Sequence, residues 1–518
     1  MGKILSIPAS NTQRVAVNTL MLYFRQILIM LVSLYTVRVV FEILGAVDYG
    51  IYNVVAGLVT VFGFLSGSMA AASQRFFAFA LGRGDYERLK QIFSLSLLIY
   101  ALIALIILLM AETIGLWFVN YKLILPPERM GAARWIYQLS IVSFVFTIMV
   151  SPFMAAIIAH EDMNIYAAVS IAEALLKLGI VFLLRIIPLD KLQLYGILLC
   201  AVTVINTGIY KTICKRKYQE CRFKFYWNKE LFKEIAGFTG WGLFQIIAGI
   251  FKWQMINILL NQFFNQIIIS ARSISLSVSS TVAGFSSNFN TALKPRIIKE
   301  YTKDNRGRTF YLVFHGITGT WFLMYVLILP LILETPIILS IWLKKVPESA
   351  VLFVRLALLD ELLYSIGHPI NAMVQASGKI KLYEFAVGTL CCLNFPLALT
   401  AFYLGAPPFS VFVIGIIMTL AAIIAKLLIS RLIVPYSLMH FFRTVLVPIG
   451  GISILSSILP LAVWKILKPD LLRLCAVVLV SAVSTGLCVY AVLLDGDERE
   501  KIRRIVLNRI HGEHKCIT

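Results

Sequence analysis

Seven basic residues interrupt apolar stretches of this chain, and they are the side chains best placed to do chemistry. They are Arg25, Arg38, Lys177, Lys252, Arg272, Arg355 and Lys426. A charge in mid-membrane costs about 2.5–3.5 kcal/mol on insertion scales, so such a group faces a wet cavity or an opposite charge. Arg25, Lys252 and Arg272 are the hardest to explain as structural residues. Cations that no carboxylate balances predict an anion-binding site, and guanidinium geometry suits phosphate or pyrophosphate.

A polar stripe follows Arg272 along its predicted helix. Ser275, Ser279, Ser286 and Asn290 all lie within about 60° of Arg272 at 100° per residue. Such a face predicts contact with water or a polar substrate such as a sugar. Packing of small residues between helices is the competing explanation, and it accounts for the serines but not for the arginine.

Acidic residues in apolar stretches are candidates for coupling transport to an ion. Asp360 and Glu361 are adjacent, and a buried carboxylate is a natural proton carrier. Either of them could instead neutralise Arg355 or Arg272. Glu173 and Lys177 are four residues apart on one helix face, which predicts an internal ion pair as well as a coupling site.

Three basic residues near the ends of their spans have a simpler explanation. Arg38 and Arg355 could extend to the lipid headgroups, or they could line the same cavity as the other cations. Lys426 is expected to reach the headgroups. Asp48, beside the first turn between spans, is expected to be solvated.

The elements that must position these residues are membrane-spanning helices. Of the 518 residues, 59% are hydrophobic and 14% charged, whereas soluble domains carry about 25% charged residues. Apolar runs of about 20 residues can only be helices, because lipid offers backbone amides no hydrogen-bond partner. About fourteen such runs occur, and the polar N-terminus shows no removable signal peptide. The sequence therefore predicts an all-α polytopic membrane protein.

The net charge of +21 indicates topology rather than a nucleic-acid partner. Every second connection between spans belongs to the same side of the membrane. The connections on one side carry roughly three times as many basic residues as those on the other, as the positive-inside rule requires. This bias predicts a multi-pass protein of the bacterial inner membrane with both termini in the cytoplasm.

A long basic connection, 211–231, divides the spans into two lobes. The predicted organisation has an N-terminal lobe (1–210), this cytoplasmic linker, a C-terminal lobe (232–433), two further spans (434–494) and a cytoplasmic tail (495–518). Each lobe holds about six spans, an even number, so the lobes share one orientation as a parallel pseudo-repeat. Two such lobes facing a central cavity are an architecture for alternating access.

Motifs for covalent chemistry are missing from the sequence. There is no G-x-x-x-x-G-K-[ST] loop, no nucleophile elbow and no zinc-protease helix. The eight cysteines form no C-x-x-C pair. These features predict a transporter that is not an enzyme and holds no cofactor or metal, driven by H⁺, Na⁺ or the membrane potential.

The stretch 18–85 resembles the N-terminal repeat of bacterial polysaccharide flippases. These are the O-antigen and capsule translocases of the multidrug/oligosaccharidyl-lipid/polysaccharide exporter superfamily. The resemblance is carried by Arg25, by LGAVDYGIYN (44–53), and by SQRF (73–76) and GRGD (82–85). It implies movement of an undecaprenyl-pyrophosphate-linked oligosaccharide, an O-antigen, capsule or exopolysaccharide unit, from the cytoplasmic to the outer leaflet.

The resemblance also implies roles for particular residues. A cationic cavity formed by Arg25, Lys252 and Arg272 would hold the pyrophosphate. Cytoplasmic gate motifs would contain Gln74, Arg75, Arg83 and Asp85 after the second span. A weak echo between the two halves of the sequence itself places Arg296, at an offset of 221 from Arg75, in the matching position of the second lobe. Polysaccharide polymerases and glycosyltransferases would be the partners.

Other functions stay open at this point. A multidrug or cation antiporter of the same superfamily would need an acidic cavity, and a lipid II flippase is a closer variant. A membrane-embedded oligosaccharide polymerase or ligase would need a large outer loop, which the short outer connections disfavour. A non-transporting scaffold would leave the cavity charges dispensable.

Overall fold

The fold consists of helices and connections throughout the part of the chain that can be described. The computed structural model describes residues 11–60, 63–121, 126–264, 266–343 and 346–493, and these contain no β-strand. Twelve described helical segments are long and apolar enough to cross a membrane. The predicted all-α polytopic membrane protein is confirmed, and fourteen spans is close to the observed count. The predicted tail, 495–518, lies outside the described residues.

The first part of the chain contains seven of the described α-helices, and α1 is broken once. Gly45 interrupts it with φ 74° and ψ 171°, which a residue without a Cβ adopts readily, so the chain turns between the first two predicted spans. The helices are α1 (Asn11–Thr60), α2 (Gly63–Arg83), α3 (Tyr86–Met110), α4 (Leu116–Tyr121), α5 (Met130–Ala159), α6 (Met163–Ile186) and α7 (Lys191–Lys217).

The second part contains the other described α-helices, and one predicted span is divided there. Pro369 has no amide hydrogen to donate to the preceding turn, which predicts a kink in this span, and the helix breaks at Ile366. The helices are α8 (Lys229–Phe263), α9 (Gln266–Thr302), α10 (Arg306–Leu333), α11 (Thr335–Trp342), α12 (Ala350–Ser365), α13 (Gly367–Ser377), α14 (Lys381–Tyr403), α15 (Ser410–Ile433), α16 (Leu438–Phe441), α17 (Val447–Ile466) and α18 (Leu471–Val492).

The helices form two compact units. Unit 1 comprises Met1–Phe251, Ser287–Phe310 and Asn371–Cys392, and unit 2 comprises Lys252–Ser286, Tyr311–Ile370 and Leu393–Thr518. The boundary falls within α8, α9, α10, α13 and α14, so each of these helices contributes to both units. The predicted lobe boundaries stay a prediction.

The core of unit 1 forms where α5 packs against α7 and α2, and α1 against α6. Because lipid is as apolar as a leucine side chain, such helices associate through close packing and hydrogen bonds. Gly196 shows how close α5 and α7 come, since a Cβ there would lie 2.5 Å from the Ile136 side chain.

A π-helical turn, Ala111–Gly115, joins α3 to α4 in the same unit. The Tyr137 hydroxyl donates to the carbonyl of Ala111 at 2.7 Å. A Cβ on Gly115 would lie 2.0 Å from that hydroxyl oxygen, so glycine leaves room for the bond. The irregular turn is thus held by a buried side chain of α5.

Three connections predicted on the outer side of the membrane meet in unit 1. Arg129 forms ion pairs with both Asp48 and Asp190. Asp48 is 5% exposed, so the expectation that it is solvated is wrong. The reason is Arg129, which lies far from it in sequence and supplies the charge that replaces water.

Connections predicted on the cytoplasmic side likewise contact one another in unit 1. Lys299 pairs with Glu161 at 2.8 Å, and Arg88 pairs with Glu234 at 3.6 Å. The predicted alternation of connections between two ends therefore agrees with the contacts inside this unit. Which end faces the cytoplasm stays a prediction.

Helices α17 and α18 pack on each other in unit 2 and are fixed to α10 by polar contacts. The indole of Trp321 donates to the Ser453 hydroxyl at 2.9 Å, and the Tyr325 hydroxyl donates to the Ser453 carbonyl at 2.7 Å. Glu334, which is fully buried, pairs with Arg473 at the start of α18 at 2.7 Å.

Two helices run further than the hydropathy of the sequence indicates. We expect the second and eighth spans to end near 73 and 293, but α2 continues to Arg83 and α9 to Thr302. Their last turns are lined by buried side chains, among them Phe77 and Ile298. These segments are therefore packed helix rather than solvated connections.

Candidate functional site

Arg25 occupies a buried polar site in unit 1. It projects from α1 and is 8% exposed. Its guanidinium donates to Asn288 Oδ1 at 2.8 Å and to Ser170 Oγ at 3.4 Å, and lies 4.7 Å from the centre of the Tyr166 ring. Helices α1, α6 and α9 thus enclose one guanidinium.

No carboxylate balances this charge within the described ranges, where no acidic oxygen lies within 4.0 Å of the Arg25 nitrogens. The Nε atom is buried and has no hydrogen-bond partner there. Asn288 is itself oriented by donating to Gln26 Oε1 at 3.3 Å. The site therefore holds a cation with neutral groups and leaves one donor unused, which is suitable for an anion.

Arg272 and Lys252 lie together in unit 2, where both contact Trp253. Arg272 is 2% exposed and donates to Asn257 Oδ1 and, at 3.4 Å, to the Trp253 carbonyl. The ring of Trp253 lies 5.6 Å from the Arg272 guanidinium and 5.9 Å from the half-buried Lys252 ammonium. Neither cation has a carboxylate partner among the described residues. Stacking on an indole is one way to hold a desolvated cation.

The polar stripe of α9 is mostly satisfied by its own backbone. The hydroxyls of Ser275, Ser279 and Ser286 donate to carbonyls three residues earlier, at 2.7, 3.3 and 3.0 Å. Asn290 differs, because its buried Oδ1 has no hydrogen-bond partner in the described structure. Contact between this stripe and sugars stays a prediction.

Asp360 and Glu361 are both half-buried on α12 in unit 2. Asp360 accepts a hydrogen bond from the Thr419 hydroxyl of α15 at 2.6 Å. No ion pair joins either carboxylate to Arg355 or Arg272 among the described residues. A role in coupling stays a prediction for both.

The ion pair predicted from the spacing of Glu173 and Lys177 is confirmed. Their side chains approach to 2.6 Å, and Asn206 of α7 donates to the other carboxylate oxygen at 2.9 Å. A role for this pair in coupling is a separate prediction, and it stays one.

The remaining cations of the apolar stretches have different environments. Arg38 has an exposed side chain and pairs with Glu42 at 3.5 Å. Arg355 is half-buried and donates to the Ile332 carbonyl at 2.9 Å. Lys426 is 4% exposed and lies 5.0 Å from the Tyr364 ring, so the expectation that it reaches headgroups is wrong. The reason is the close packing of α15 against α12.

Arg75 joins α2 to α8 and α13 in unit 1. Its Nε donates to the Gln375 carbonyl at 3.1 Å, and its Nη1 lies 3.6 Å from Glu234. The guanidinium also lies 4.5 and 5.4 Å from the rings of Phe76 and Phe238. This junction connects the first-half motif SQRF to helices of the second half.

The other predicted gate residues are distributed around this junction. Gln74 is 9% exposed, and its Nε2 has no hydrogen-bond partner in the described residues. Arg83 is exposed at the end of α2, and Asp85 caps α3 through a 2.9 Å bond from the backbone of Arg88. Arg296 is 5% exposed within α9. A gating role for these residues stays a prediction.

Sequence reasoning missed the neutral residues that hold the cations. Asn288, Ser170 and Tyr166 are distant from Arg25 in sequence, and no local pattern marks them. Trp253 and Asn257 could have been found, because the first adjoins Lys252 and the second lies one helical turn further along.

Electrostatics outside the spanning helices is governed by ion pairs at the connections. Burial raises the pKa of the Glu220 carboxyl, but the 2.5 Å hydrogen bond with His160, a backbone hydrogen bond and the electrostatic interactions with His160 and Lys90 together leave the pKa below its usual range. For Asp190, burial likewise raises the pKa, but hydrogen bonds from backbone amides and the interactions with Arg129 together lower it by more. The pKa of Asp190 therefore also lies below its usual value. In the described ranges, no group of three His, Cys, Asp or Glu side chains could hold a metal ion.

Comparison with known proteins identifies the fold. No protein-family model and no curated protein sequence matches the chain. A solved multidrug-resistance MATE-family transporter of the MOP superfamily matches with a TM-score of 0.69 and 12% identity, over 82% of this chain and 96% of that one. The MATE transporter ClbM in complex with Rb⁺ matches with a TM-score of 0.69 and 14% identity, over 85% and 98% of the two chains.

A third solved structure matches to a similar degree. It is a MOP-superfamily transporter from Pyrococcus furiosus, with a TM-score of 0.68 and 12% identity, over 80% of this chain and 95% of that one. Its binding pocket is described as having reverse polarity, which suggests a different function. The chain thus has the fold of MATE transporters of the MOP superfamily and is a multi-pass membrane protein.

Proposed function

We propose that this protein is a transporter that works by alternating access and carries an anionic, lipid-linked cargo. The fold it shares with MATE transporters supports the transport function. The observation that carries the choice of cargo is Arg25, which is buried and held only by neutral groups among the described residues.

Electrostatics makes an anion the natural ligand of such a site. A buried cation without a counter-charge has lost hydration and regained little in return. A phosphate or pyrophosphate would supply the missing charge and accept the unused Nε donor. An organic cation would be repelled from the same site.

The resemblance of 18–85 to polysaccharide flippases defines the cargo more closely. We propose an undecaprenyl-pyrophosphate-linked oligosaccharide, moved from the cytoplasmic to the outer leaflet of the inner membrane. Both termini would then face the cytoplasm. The membrane potential would contribute about 2.3 kcal/mol per charge per 100 mV, or a proton on Asp360 or Glu361 would bias the cycle.

A multidrug or cation antiporter is the second candidate, and the solved neighbours favour it, since two of those described above are MATE transporters. It would use the carboxylate of Asp360 for a cation. The reverse polarity described for the Pyrococcus furiosus protein indicates that cargo should be inferred from the charges rather than from the fold.

Reconstitution into liposomes tests the cargo directly. The wild type and the variants Arg25→Gln, Lys252→Gln and Arg272→Gln are assayed for flipping of a fluorescent polyprenyl-pyrophosphate oligosaccharide. Loss of one charge-assisted hydrogen bond is worth about 1.5–3 kcal/mol, so we expect transport at limiting substrate to fall by roughly 10- to 150-fold. Arg38→Gln is the matched control, because its side chain is exposed and should leave transport unchanged.

Two outcomes decide between the candidates. Unchanged flipping in all three variants would remove the anion site. Uptake of an organic cation by the wild type, abolished in Asp360→Asn, together with no flipping of the lipid, would establish the second candidate instead.

A further inference from the structure

The connection between α7 and α8 exposes basic and aromatic side chains that the proposed transport does not use. Phe223, Phe225 and Trp227 are 52%, 72% and 56% exposed. Arg222 and Lys224 alternate with them and are also exposed, with no side-chain partner in the described part of the chain. Large aromatic rings beside free cations are typical of segments at a membrane–water interface.

The position of this connection restricts what it can contact. Helices α7 and α8 are both long and apolar enough to span a membrane. They extend into the predicted linker from both sides and leave only 218–228 between them. The ends of the connection lie only a few residues beyond the apolar spans, at about 1.5 Å per helical residue, so its side chains stay at the level of the lipid headgroups. This holds whichever face of the membrane the connection occupies.

The connection is held in place before any ligand binds. The backbone amide of Lys224 donates to the Ser94 hydroxyl of α3 at 3.3 Å. Asn228 caps α8, accepting bonds from the amides of Glu230 and Leu231 at 2.9 and 3.0 Å. Trp227 packs on the Phe232 ring at 5.2 Å. The exposed side chains are thus presented by an ordered backbone.

A cleft of about 530 Å³ lies between this connection and the start of α3. Its lining includes Lys90, Arg222 and Lys224, together with Ser94 and Tyr226 as neutral hydrogen-bonding groups. Glu87 also lines it, but is paired with Lys90 at 2.7 Å. Arg222 and Lys224 therefore give the cleft a positive charge.

A second cleft nearby has the opposite character. It measures about 420 Å³, and its lining includes Asp85, Glu230 and Glu234. The neighbouring clefts thus differ in the sign of their charge, and a phosphate would bind only in the basic one.

We propose that the connection between α7 and α8, with the start of α3, binds the headgroup of an anionic phospholipid. Arg222 and Lys224 contact the phosphate, and Phe223, Phe225 and Trp227 enter the interfacial layer of the bilayer. This site would fasten the predicted linker to the membrane surface. It is independent of the cargo proposed above.

Hydrogen–deuterium exchange in nanodiscs tests the site. The protein is placed in phosphatidylcholine alone or in a mixture of phosphatidylcholine and phosphatidylglycerol, and exchange is followed across 218–228. We expect phosphatidylglycerol to slow exchange in the wild type. Each lost charge should weaken the interaction about fivefold, or about 25-fold together, so we expect Arg222→Gln/Lys224→Gln to show almost no protection at the phosphatidylglycerol content that half-protects the wild type.

A control variant separates this site from general surface charge. Arg431→Gln/Arg443→Gln removes two exposed charges at another connection and should keep the wild-type protection. A second variant, Phe225→Ser/Trp227→Ser, should also weaken the protection while the cations remain.

Three results would overturn the proposal. One is equal exchange in both lipid mixtures. Another is equal protection by inorganic phosphate added to phosphatidylcholine nanodiscs, which would indicate a site for a free anion. The third is protection by a soluble oligonucleotide but not by phosphatidylglycerol.

Discussion

The buried pair of Glu334 and Arg473 allows a quantitative test of how the last two helices are held. The carboxylate is fully buried, and the arginine side chain is 12% exposed. Two contacts join them, an ion-pair contact of Nε with Oε1 at 2.7 Å and a hydrogen bond from Nη2 to Oε2 at 2.9 Å. Arg473 also donates to the Trp464 carbonyl at 3.4 Å. The pair therefore links the end of α10 to the start of α18.

Removing only one partner should lower the free energy of unfolding much more than removing both. Arg473→Leu leaves an uncompensated carboxylate in a buried site, which costs about 3–5 kcal/mol. Glu334→Leu similarly leaves a guanidinium without its counter-charge. The double variant Glu334→Leu/Arg473→Leu contains no unpaired charge and should lie within about 1 kcal/mol of the wild type.

Unfolding free energies from a detergent titration, followed by intrinsic fluorescence, complete the cycle. From these figures we expect a coupling free energy of at least about 5 kcal/mol between the two positions. If the stability losses of the two single variants sum to that of the double variant within about 0.5 kcal/mol, the buried ion pair is not the link. A conservative Leu455→Ala change on an exposed face of α17 is the control and should cost little.

Three further substitutions test other features. Gly378→Ala should lower the melting temperature, because Gly378 has φ +75° and a Cβ there would lie 2.7 Å from the Arg75 guanidinium; an unchanged thermal transition would show that no strain exists there. The lowered pKa of Glu220 stabilises the protein above the ordinary glutamate range, and this stability is lost as pH falls from that range through the lowered pKa. Glu220→Gln should therefore lose less stability than the wild type in an acid titration; identical acid profiles would contradict this. Arg129→Ala should lower the melting temperature most at neutral pH, with a deficit that shrinks in acid as the two carboxylates left behind become protonated; a deficit independent of pH would argue against those ion pairs.

The spans were predictable from the sequence because the cost of an unsatisfied backbone in lipid leaves few alternatives. The break at Ile366, before Pro369, and the pairing of Glu173 with Lys177 were predictable for a similar reason, since both depend on geometry within one helix. The ends of α2 and α9 were not predictable. Hydropathy detects contact with lipid, but these turns are buried by other helices.

Most of the contacts that the sequence did not predict are made by residues distant in sequence from the charged groups they surround. Asn288 reaches Arg25 from a helix in the second half of the chain, and Arg129 neutralises Asp48 from another connection. Lys426 is buried because α15 packs on α12, which its own segment does not reveal. Single-sequence patterns identify the charged groups, but they do not identify the groups that surround them.

The π-helical turn at Ala111–Gly115 has a consequence for how relatives of this chain are compared. Such a turn holds one residue more than an α-helical turn, so it rotates every later side chain by about 100°. Val119, which is fully buried, owes its inward direction to that extra residue. A homologue with a regular helix here would need one residue fewer to bury the same position. A correct alignment of the two would therefore carry a gap inside a helix, where gaps are usually penalised.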